Sequence, residues 1–334
     1  MKLARRRFLH LLAGAAAVPV ASRAQTYPAR PVLIIAGFAA GGGVDISAHL
    51  IAQRLSEQLG QPFSVENRPG ANSNKATEAV VRAPPDGYTL LLINPANAIN
   101  SALYDKLSFN FIRDIAPVAG IIRLPLVMLV NRSVPAQTVP EFIAYAKANP
   151  GKVNMASAGT GTPQHLSGEL FKLIAGVDLL HVRYPGVPAA LNDLARGKVH
   201  IIFASMPASI DRIRAGEIRP LAVTTPSRSE VLPDVPTVGE FVPGYESSSW
   251  YGVGTPKGTP TAIIDTLNKE INAALSDRKV KARFAELGGT VLPGAPSKFG
   301  RLIADETQKW ARVVKFAAVS PGMTSIHQFY IAWR

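Results

Sequence analysis

Two stretches of the chain share one pattern, in which a run that is predicted to form a strand leads into a glycine-rich loop and then into an amphipathic helix. The first run covers residues 32–36 and precedes the glycines at 41–43, with a helix expected from Asp45. The second run covers residues 152–156 and is followed by a Ser-Ala-Gly-Thr-Gly-Thr loop at 157–162 and another helix. The first run is continuously apolar, as is typical of a buried parallel strand, whereas the second reads Lys-Val-Asn-Met-Ala. The pattern predicts an α/β fold with mostly parallel sheets.

Shorter elements fill the rest of the chain. We predict further strands at 63–66, 88–93, 124–130, 199–203, 220–223 and 250–253, and helices over about 73–83, 259–287 and 297–316. The stretch from Pro233 to Tyr245 is rich in proline and has no clear periodicity, so we expect an irregular connection. A chain of 334 residues exceeds what one core usually organises, which predicts two domains. The last two helices are expected to return and pack on the first.

The N-terminus has the features of a cleavable export signal. Three arginines at 5–7 precede an apolar run at 11–18, and small residues at Ser22 and Ala24 flank Arg23. The run is too short to cross a hydrocarbon core, which needs roughly 20 residues. We therefore predict a twin-arginine signal over residues 1–24 and a mature protein from Gln25; a structural N-terminal helix or membrane anchor is the alternative.

Charge and cysteine content narrow the function classes. The chain has no cysteine, which excludes disulfide scaffolds, thiol catalysis, cysteine zinc sites and lipoprotein anchoring. Five of its 36 cationic residues lie in the predicted signal, which leaves 31 against 23 acidic residues, a net charge of +8. Because these cations are scattered and the protein is expected in the periplasm, we predict small anions rather than nucleic acid as partners.

The two glycine loops are the best candidates for an anion site. Each precedes a helix N-terminus, where free backbone N–H groups and the helix dipole favour negative charge, and glycine lets a ligand approach the backbone. A small dianion could bridge the two loops if the two halves face each other. The alternative is that both are ordinary turns between a strand and a helix.

Other chemistries fit the sequence less well. The loop at 41–43 lacks a dinucleotide-binding fingerprint, and Gln164 stands where the third glycine of such a motif would follow 159–161. No P-loop lysine and no nucleophile elbow is present. His165 and Glu169 are one helical turn apart, but two ligands do not make a zinc site, and a hydrogen-bonding or packed surface role for His165 is favoured. Asp45 is expected to cap its helix, with contact to a solute hydroxyl or amino group as the alternative.

In combination, six segments resemble the Bug-type receptors of tripartite tricarboxylate transporters. They are Phe-Ala-Ala-Gly-Gly-Gly-Val-Asp at 38–45, Val-Glu-Asn-Arg-Pro-Gly-Ala at 65–71, Pro-Asp-Gly-Tyr-Thr-Leu-Leu at 85–91, the long segment 156–170, His-Val-Arg-Tyr at 181–184 and Leu-Pro-Asp-Val-Pro-Thr-Val at 232–238. They occur in order across residues 27–316.

This resemblance implies a two-lobed, type II-like periplasmic-binding-protein clamshell that closes on a carboxylated solute. The implied lobe limits are 25–125 with 247–319 for lobe 1 and 126–246 for lobe 2, each a mainly parallel sheet flanked by helices. The implied ligand-binding residues are Phe38, Ala39, Gly42, Gly43, Asp45, Asn94, Ser157, Gly159, Thr160, Gly161, Thr162, His165, Tyr184 and Ala204. Phe38 and Tyr184 could equally be core residues.

Several departures from the family pattern put the identity of the solute in question. Gly37, Ala40 and Val44 replace the usual Pro, Pro and Thr, which removes one hydroxyl from the first loop. Asn94 stands where Ser or Thr is common, and Ala204 where many relatives carry Asp. The tail over 320–334 has no counterpart in the resemblance and is predicted to be disordered.

The expected function is therefore that of a non-enzymatic, monomeric periplasmic receptor that needs no cofactor or metal. It would bind a small mono- or dicarboxylate and present it to membrane permease subunits. The alternatives are a periplasmic enzyme that acts on an acidic substrate through Ser157 and His165, and a carboxylate sensor that is not coupled to transport.

Overall fold

The computed structural model describes residues 27–317. The predicted export signal, the predicted mature start at Gln25 and the tail over 320–334 lie outside these residues. No helix of the described part is long and apolar enough to cross a membrane.

The described chain alternates strands and helices as predicted. The strands are β1 (Val32–Ala36), β2 (Phe63–Asn67), β3 (Thr89–Ile93), β4 (Ile115–Val130), β5 (Asn154–Ser157), β6 (Leu180–Arg183), β7 (Ile201–Ser205), β8 (Arg219–Val223), β9 (Ser248–Pro256) and β10 (Thr290–Val291). The helices are α1 (Gly43–Leu59), α2 (Asn74–Val81), α3 (Pro95–Leu103), α4 (Phe111–Asp114), α5 (Val139–Ala148), α6 (Pro163–Ala175), α7 (Val187–Ala195), α8 (Met206–Arg214), α9 (Thr261–Ser276), α10 (Arg278–Glu286) and α11 (Pro296–Phe316).

Strand β4 belongs to two sheets and joins them. The strands follow the order β2-β1-β3-β9-β4-β7-β5-β6, with β10 and β8 also paired to β4. Residues Ile115 to Pro125 of β4 pair with β9, and Leu126 to Val130 pair with β7. Sequence reasoning predicted only residues 124–130 as a strand. The earlier part was missed because its partner β9 lies more than a hundred residues away and Pro117 interrupts its pattern.

The strand registers show where the central strands end. At the end of β3, Ile93 pairs with Gly252 in the middle of β9, and Ser248 at the start of β9 pairs with Pro125. At the end of β7, Ser205 pairs with Leu126. Strand β1 is parallel to β3 and β5 is parallel to β7. We call the step from Pro125 to Leu126, where β4 changes its partner from β9 to β7, the crossover of β4. The carboxyl ends of β1 and β5 therefore point toward this crossover from opposite sides.

The helix predicted over 259–287 is two helices. Asp277 has extended backbone angles between α9 and α10, and its carboxylate accepts hydrogen bonds from the N–H groups of Lys279 (2.9 Å) and Val280 (3.1 Å). A carboxylate that caps a new helix competes with continuation of the old one. The irregular connection predicted over 233–245 is confirmed, apart from one 3-10 turn at Val238–Glu240.

The last helix packs on the first part of the chain, as predicted. Helix α11 packs against α3, and its Trp310 is fully buried with Trp250 of β9. The Glu306 carboxylate accepts hydrogen bonds from the indole N–H of Trp250 (3.0 Å) and of Trp310 (2.8 Å). Because buried carboxylates need partners, this arrangement fixes α11 against β9.

Candidate functional site

The first glycine loop, residues 37–43, follows β1 and leads into α1. Gly41 and Gly42 are exposed, and Gly42 is the N-cap of α1 with no side-chain cap. The first N–H groups of a helix have no intrahelical acceptor, so an uncapped, exposed start leaves them available to a ligand. A Cβ built on Gly42 would meet only the Ala39 carbonyl oxygen, at 3.8 Å. The loop therefore offers main-chain donors rather than side chains.

Asp45 holds this loop in shape. Its Oδ2 accepts a hydrogen bond from the Gly41 N–H at 2.8 Å, and its Oδ1 lies 3.3 Å from Nε2 of His49. Burial raises the pKa of Asp45, but the hydrogen bonds from Gly41 and Asn67 and the proximity of His49 outweigh it, and the pKa lies below its ordinary value. Asp45 therefore caps the loop before the helix rather than the first helical turn.

The second glycine loop, residues 157–162, follows β5 and leads into α6. Ser157 is buried, and its Oγ accepts a hydrogen bond from the Gly159 N–H and lies 2.6 Å from Nε2 of His181. The hydroxyl of Thr162 donates to the Gly159 carbonyl at 2.7 Å, while Thr162 is the N-cap of α6 and accepts from the His165 N–H. Internal hydrogen bonds thus fix most of this loop.

His165 lies beneath the second loop rather than on the surface. It is 3% exposed, its Nδ1 accepts a hydrogen bond from the Gly161 N–H at 3.1 Å, and its Nε2 is 3.5 Å from Glu169. The surface role that sequence reasoning allowed for His165 is wrong, because α6 packs this face inward.

A second buried histidine supports the same loop. The rings of His165 and His181 stack with centroids 3.8 Å apart. Burial, together with the neighbouring His165, lowers the pKa of His181 to about 3. Burial raises the pKa of Glu169, but His165 and Lys172 outweigh it and the pKa lies below its ordinary value. Because His181 is neutral, its ring stacks on that of His165 without repulsion between two positive charges.

The remaining predicted site residues have assigned partners or half-buried positions. Asn94 is buried, caps α3 by accepting from the Ala96 N–H and donates to the Ser73 hydroxyl. The Tyr184 hydroxyl donates to Asp193 at 3.0 Å, and burial followed by that hydrogen bond raises the pKa of Tyr184. Ala204 is buried in the apolar cluster around β7, opposite Val127. The others, Phe38, Gly43, Thr160 and Thr162, are half-buried in or beside the two loops, and Ala39 is exposed.

Sequence reasoning missed the turn at 70–74, which contacts both loops. The Ser73 side chain lies against Gly37, where an added Cβ would come within 1.8 Å of the Ser73 hydroxyl. The Asn72 side-chain amide donates to the Gly161 carbonyl at 3.3 Å. A run of Gly, Ala, Asn and Ser after a proline is a turn signal, but nothing local identifies what the turn contacts.

A cavity of about 340 Å³ opens beside the second loop. Its lining includes Thr160, His165, Glu169, Lys172, His181 and Arg183. Within residues 27–317, no group of three or more His, Asp or Glu side chains could hold a metal ion. The cavity borders the second loop alone, because no residue of the first loop, 37–43, belongs to its lining.

Comparison with known proteins decides the family. The model of the tripartite tricarboxylate transporter family receptors matches residues 47–319. The chain belongs to this family. Its neighbours are periplasmic binding proteins with two lobes, so the predicted α/β, two-lobed fold and the Bug-type resemblance are confirmed. The sheets are mixed rather than mainly parallel, because β4 pairs antiparallel with β7, β8, β9 and β10. Family members are substrate-binding receptors, and this receptor is not an enzyme, as predicted.

Individual relatives match over most of their length. Protein BugT of Bordetella pertussis is 39% identical over 302 residues, 90% of this chain and 92% of BugT. A structure of an R. palustris protein with adipate is 39% identical, covers 88% of this chain and 99% of that chain, and has a TM-score of 0.79. MatC from Rhodopseudomonas palustris with bound malate is 31% identical, covers 86% and 100%, and has a TM-score of 0.75.

Proposed function

We propose that this receptor captures a small carboxylate between its two glycine loops in the periplasm and delivers it, as a monomer, to membrane permease subunits. The observation that carries the proposal is that the carboxyl ends of β1 and β5 face the same crossover from opposite sides. Ligands of open α/β sheets bind outside the carboxyl ends of the strands. Relatives that were solved with adipate and malate support the carboxylate class.

The two loops would take different parts of the solute. In the first loop, the N–H groups of Gly42 and Gly43 at the start of α1 would bind one carboxylate. In the second loop, the half-buried side chain of Thr160, which lines the cavity beside this loop, would donate a hydrogen bond to the solute. The predicted contacts of Asn94 and Ala204 would act indirectly, because Asn94 caps α3 and the side chain of Ala204 packs in the core.

Closure would be a hinge motion about the two places where the chain changes sheet. We place the lobe limits at 27–125 with 247–317 and at 126–246, supported by the change of partner between Pro125 and Leu126. Near the second of these places, between residues 246 and 247, the Glu246 carboxylate accepts hydrogen bonds from Arg123 at 2.7 Å and from Lys309 at 2.9 Å. Burial raises the pKa of Glu246, but Lys309 and Arg123 outweigh it, so the carboxylate is ionised and ties α11 to the hinge.

A ligand screen of the mature chain from Gln25 tests the proposal. We would measure thermal unfolding with adipate, malate, succinate, glutamate, citrate and aromatic carboxylates at fixed ionic strength. A ligand at 100 times its Kd stabilises by about 2.7 kcal/mol, which raises the midpoint by several degrees in a chain of this size. A cooperative transition that no acid shifts, with no acid released on denaturation, would contradict carboxylate capture. Uptake of the identified acid would then be compared between cells with and without the receptor. Loss of uptake in cells that lack the receptor would support delivery, and unchanged uptake would contradict it.

A pair of variants tests main-chain capture. Gly42→Val should abolish binding by blocking approach to the α1 N-terminus, whereas Thr160→Ala should weaken it by only about 0.5–1.5 kcal/mol, the net worth of one hydrogen bond. Gly42→Ala is the matched control for folding, because the loop has room for its Cβ. Titration calorimetry gives the affinities, and stronger binding by Gly42→Val than by Thr160→Ala would refute capture by the main chain.

A further inference from the structure

Three consecutive residues after Gly70 have a backbone conformation that L-amino acids rarely adopt. Ala71, Asn72 and Ser73 have φ of 46°, 52° and 76°, and they are the non-glycine residues with positive φ in the described part of the chain. Such residues persist only where the surroundings hold them in place, and they concentrate at functional sites. Contacts from neighbouring residues must therefore hold this turn in its conformation.

The buried side chain of Asn100 on α3 holds this turn at several points. Its Nδ2 donates to the Asn72 carbonyl at 2.7 Å and to Oδ1 of Asn74 at 2.7 Å, and its Oδ1 accepts from Nδ2 of Asn72 at 2.9 Å. Asn100 is 1% exposed. Both the main chain and the side chain of Asn72 are thus fixed by one residue of the core.

Held in this way, the side chain of Asn72 crosses the boundary between the two sheets. Its Nδ2 donates to the Gly161 carbonyl at 3.3 Å, 89 residues further along the chain. Leu103 of α3 packs beside the same glycine, since a Cβ at Gly161 would lie 2.3 Å from Cδ2 of Leu103. The next residue of the turn, Ser73, lies against Gly37 in the first loop.

The contact completes the hydrogen bonding of Gly161. Its N–H donates to His165 in the second lobe, and its carbonyl accepts from Asn72 in the first. With both groups engaged, Gly161 is a fixed point in the second loop. The distance between the two glycine loops is then set by the turn that contacts both of them.

We infer that Asn72 is a positioning residue that latches the second glycine loop to the first lobe when the two lobes are closed. This rests on the proposed function, because the latch matters through the solute that the loops hold. Asn72 acts on the closed arrangement and does not contact the solute. Without its amide, the closed state loses a cross-lobe hydrogen bond and releases the solute faster, while the rate of capture stays the same.

Two variants separate the amide from the backbone. Asn72→Asp keeps the shape and tolerates the left-handed conformation but cannot donate, and Asn72→Gly keeps the conformation and removes the side chain. Asn149→Asp is the matched control, because it removes an amide donor to the Tyr145 carbonyl (2.9 Å) within one lobe. We expect both Asn72 variants to raise the solute dissociation rate by about two- to tenfold, as one hydrogen bond would.

The distance between the lobes is the measurement that a merely structural role of Asn72 would leave unchanged. Because the chain has no cysteine, Gln53→Cys and Arg196→Cys, both exposed, place a fluorophore pair for energy transfer. We expect the share of molecules at the short distance to fall in both Asn72 variants and to stay at the wild-type level in Asn149→Asp. An unchanged share in both variants, or a change in Asn72→Asp alone, which charge repulsion would cause, overturns the latch.

The same measurement tests the latch separately from carboxylate capture. If no acid binds the wild-type protein, the proposed function fails, but the distance distribution without solute still compares wild type with the variants. A smaller closed population in both Asn72 variants would then support the latch by itself, and identical distributions would overturn it.

Discussion

The two glycine loops follow the same local pattern but are stabilised in different ways. In the first loop, Gly41 and Gly42 are exposed, and the carboxylate of Asp45 is the side chain that accepts from the loop itself. In the second, Ser157, Thr162 and His165 bond to the loop from inside, and Gly161 is buried against the first lobe. One sequence pattern therefore gives an exposed glycine loop in one lobe and a hydrogen-bonded, packed loop in the other.

Under the proposed function, the two loops would have different tasks in binding the solute. A loop with free main-chain donors can adapt to different carboxylates, because its recognition does not depend on side-chain identity. A loop whose polar groups already bond to each other presents a fixed surface. The solute class would then depend mainly on what surrounds Thr160, the half-buried hydroxyl of the fixed loop.

Alanine at equivalent glycines should give the largest contrast. Gly161 and Gly41 both have positive φ, of 74° and 84°, but a Cβ at Gly161 would clash with Leu103 at 2.3 Å, whereas one at Gly41 would meet no atom of the described residues within 4 Å. We expect Gly161→Ala to destabilise by about 2–4 kcal/mol, from backbone strain and overpacking. Gly41→Ala should cost about 1 kcal/mol, from strain alone. Urea unfolding measures both, and equal losses would contradict the comparison.

The buried histidine under the second loop should make stability depend on pH. The pKa of His181 is about 3 in the folded state and 6.5 as its ordinary value, so the unfolded chain binds more protons between these values. The part of the stability that depends on a neutral His181 is therefore complete above pH 6.5 and is lost as the pH falls toward 3, with a slope of at most about 1.4 kcal/mol per pH unit. His181→Gln should reduce the slope of the unfolding free energy between pH 6.5 and 5. An NMR titration of the His181 ring that gave a pKa near 6.5 would contradict this account.

Sequence patterns predicted the elements whose formation depends on residues that are close together in the sequence. The apolar run 32–36 is β1 with the same bounds, since a continuous buried strand needs no partner information to be recognised. The first half of β4 and the break at Asp277 were missed. The former depends on pairing with β9, and the latter on one carboxylate that caps α10 in competition with α9.

The same limit applies to the site. Both loops were predicted, because strand, glycine and helix start are adjacent in sequence. The placement of His165 inside the second lobe and the contact from Asn72 to Gly161 were not, because they depend on how α6 and α3 pack. A turn of Ala, Asn and Ser gives no sign that all three residues adopt positive φ, since the support comes from Asn100 on another helix.

The smallest expected effect concerns the support of the first loop. Asp45→Asn keeps an acceptor for the Gly41 N–H but removes the charge that shortens this bond to 2.8 Å and attracts His49. We expect a loss of about 1 kcal/mol at pH 7, because hydrogen bonds to ionised groups are stronger than those to neutral ones. The pKa of Asp45 is lowered on folding, so this part of the stability is present above the ordinary pKa of a carboxyl and disappears as the pH falls through the folded value. The wild type and Asp45→Asn should therefore converge in acid. Equal stability at pH 7 would show that the loop does not need the charge, and the Asn67 amide, which donates to the Phe38 carbonyl at 3.0 Å, would then be the side chain that supports the loop.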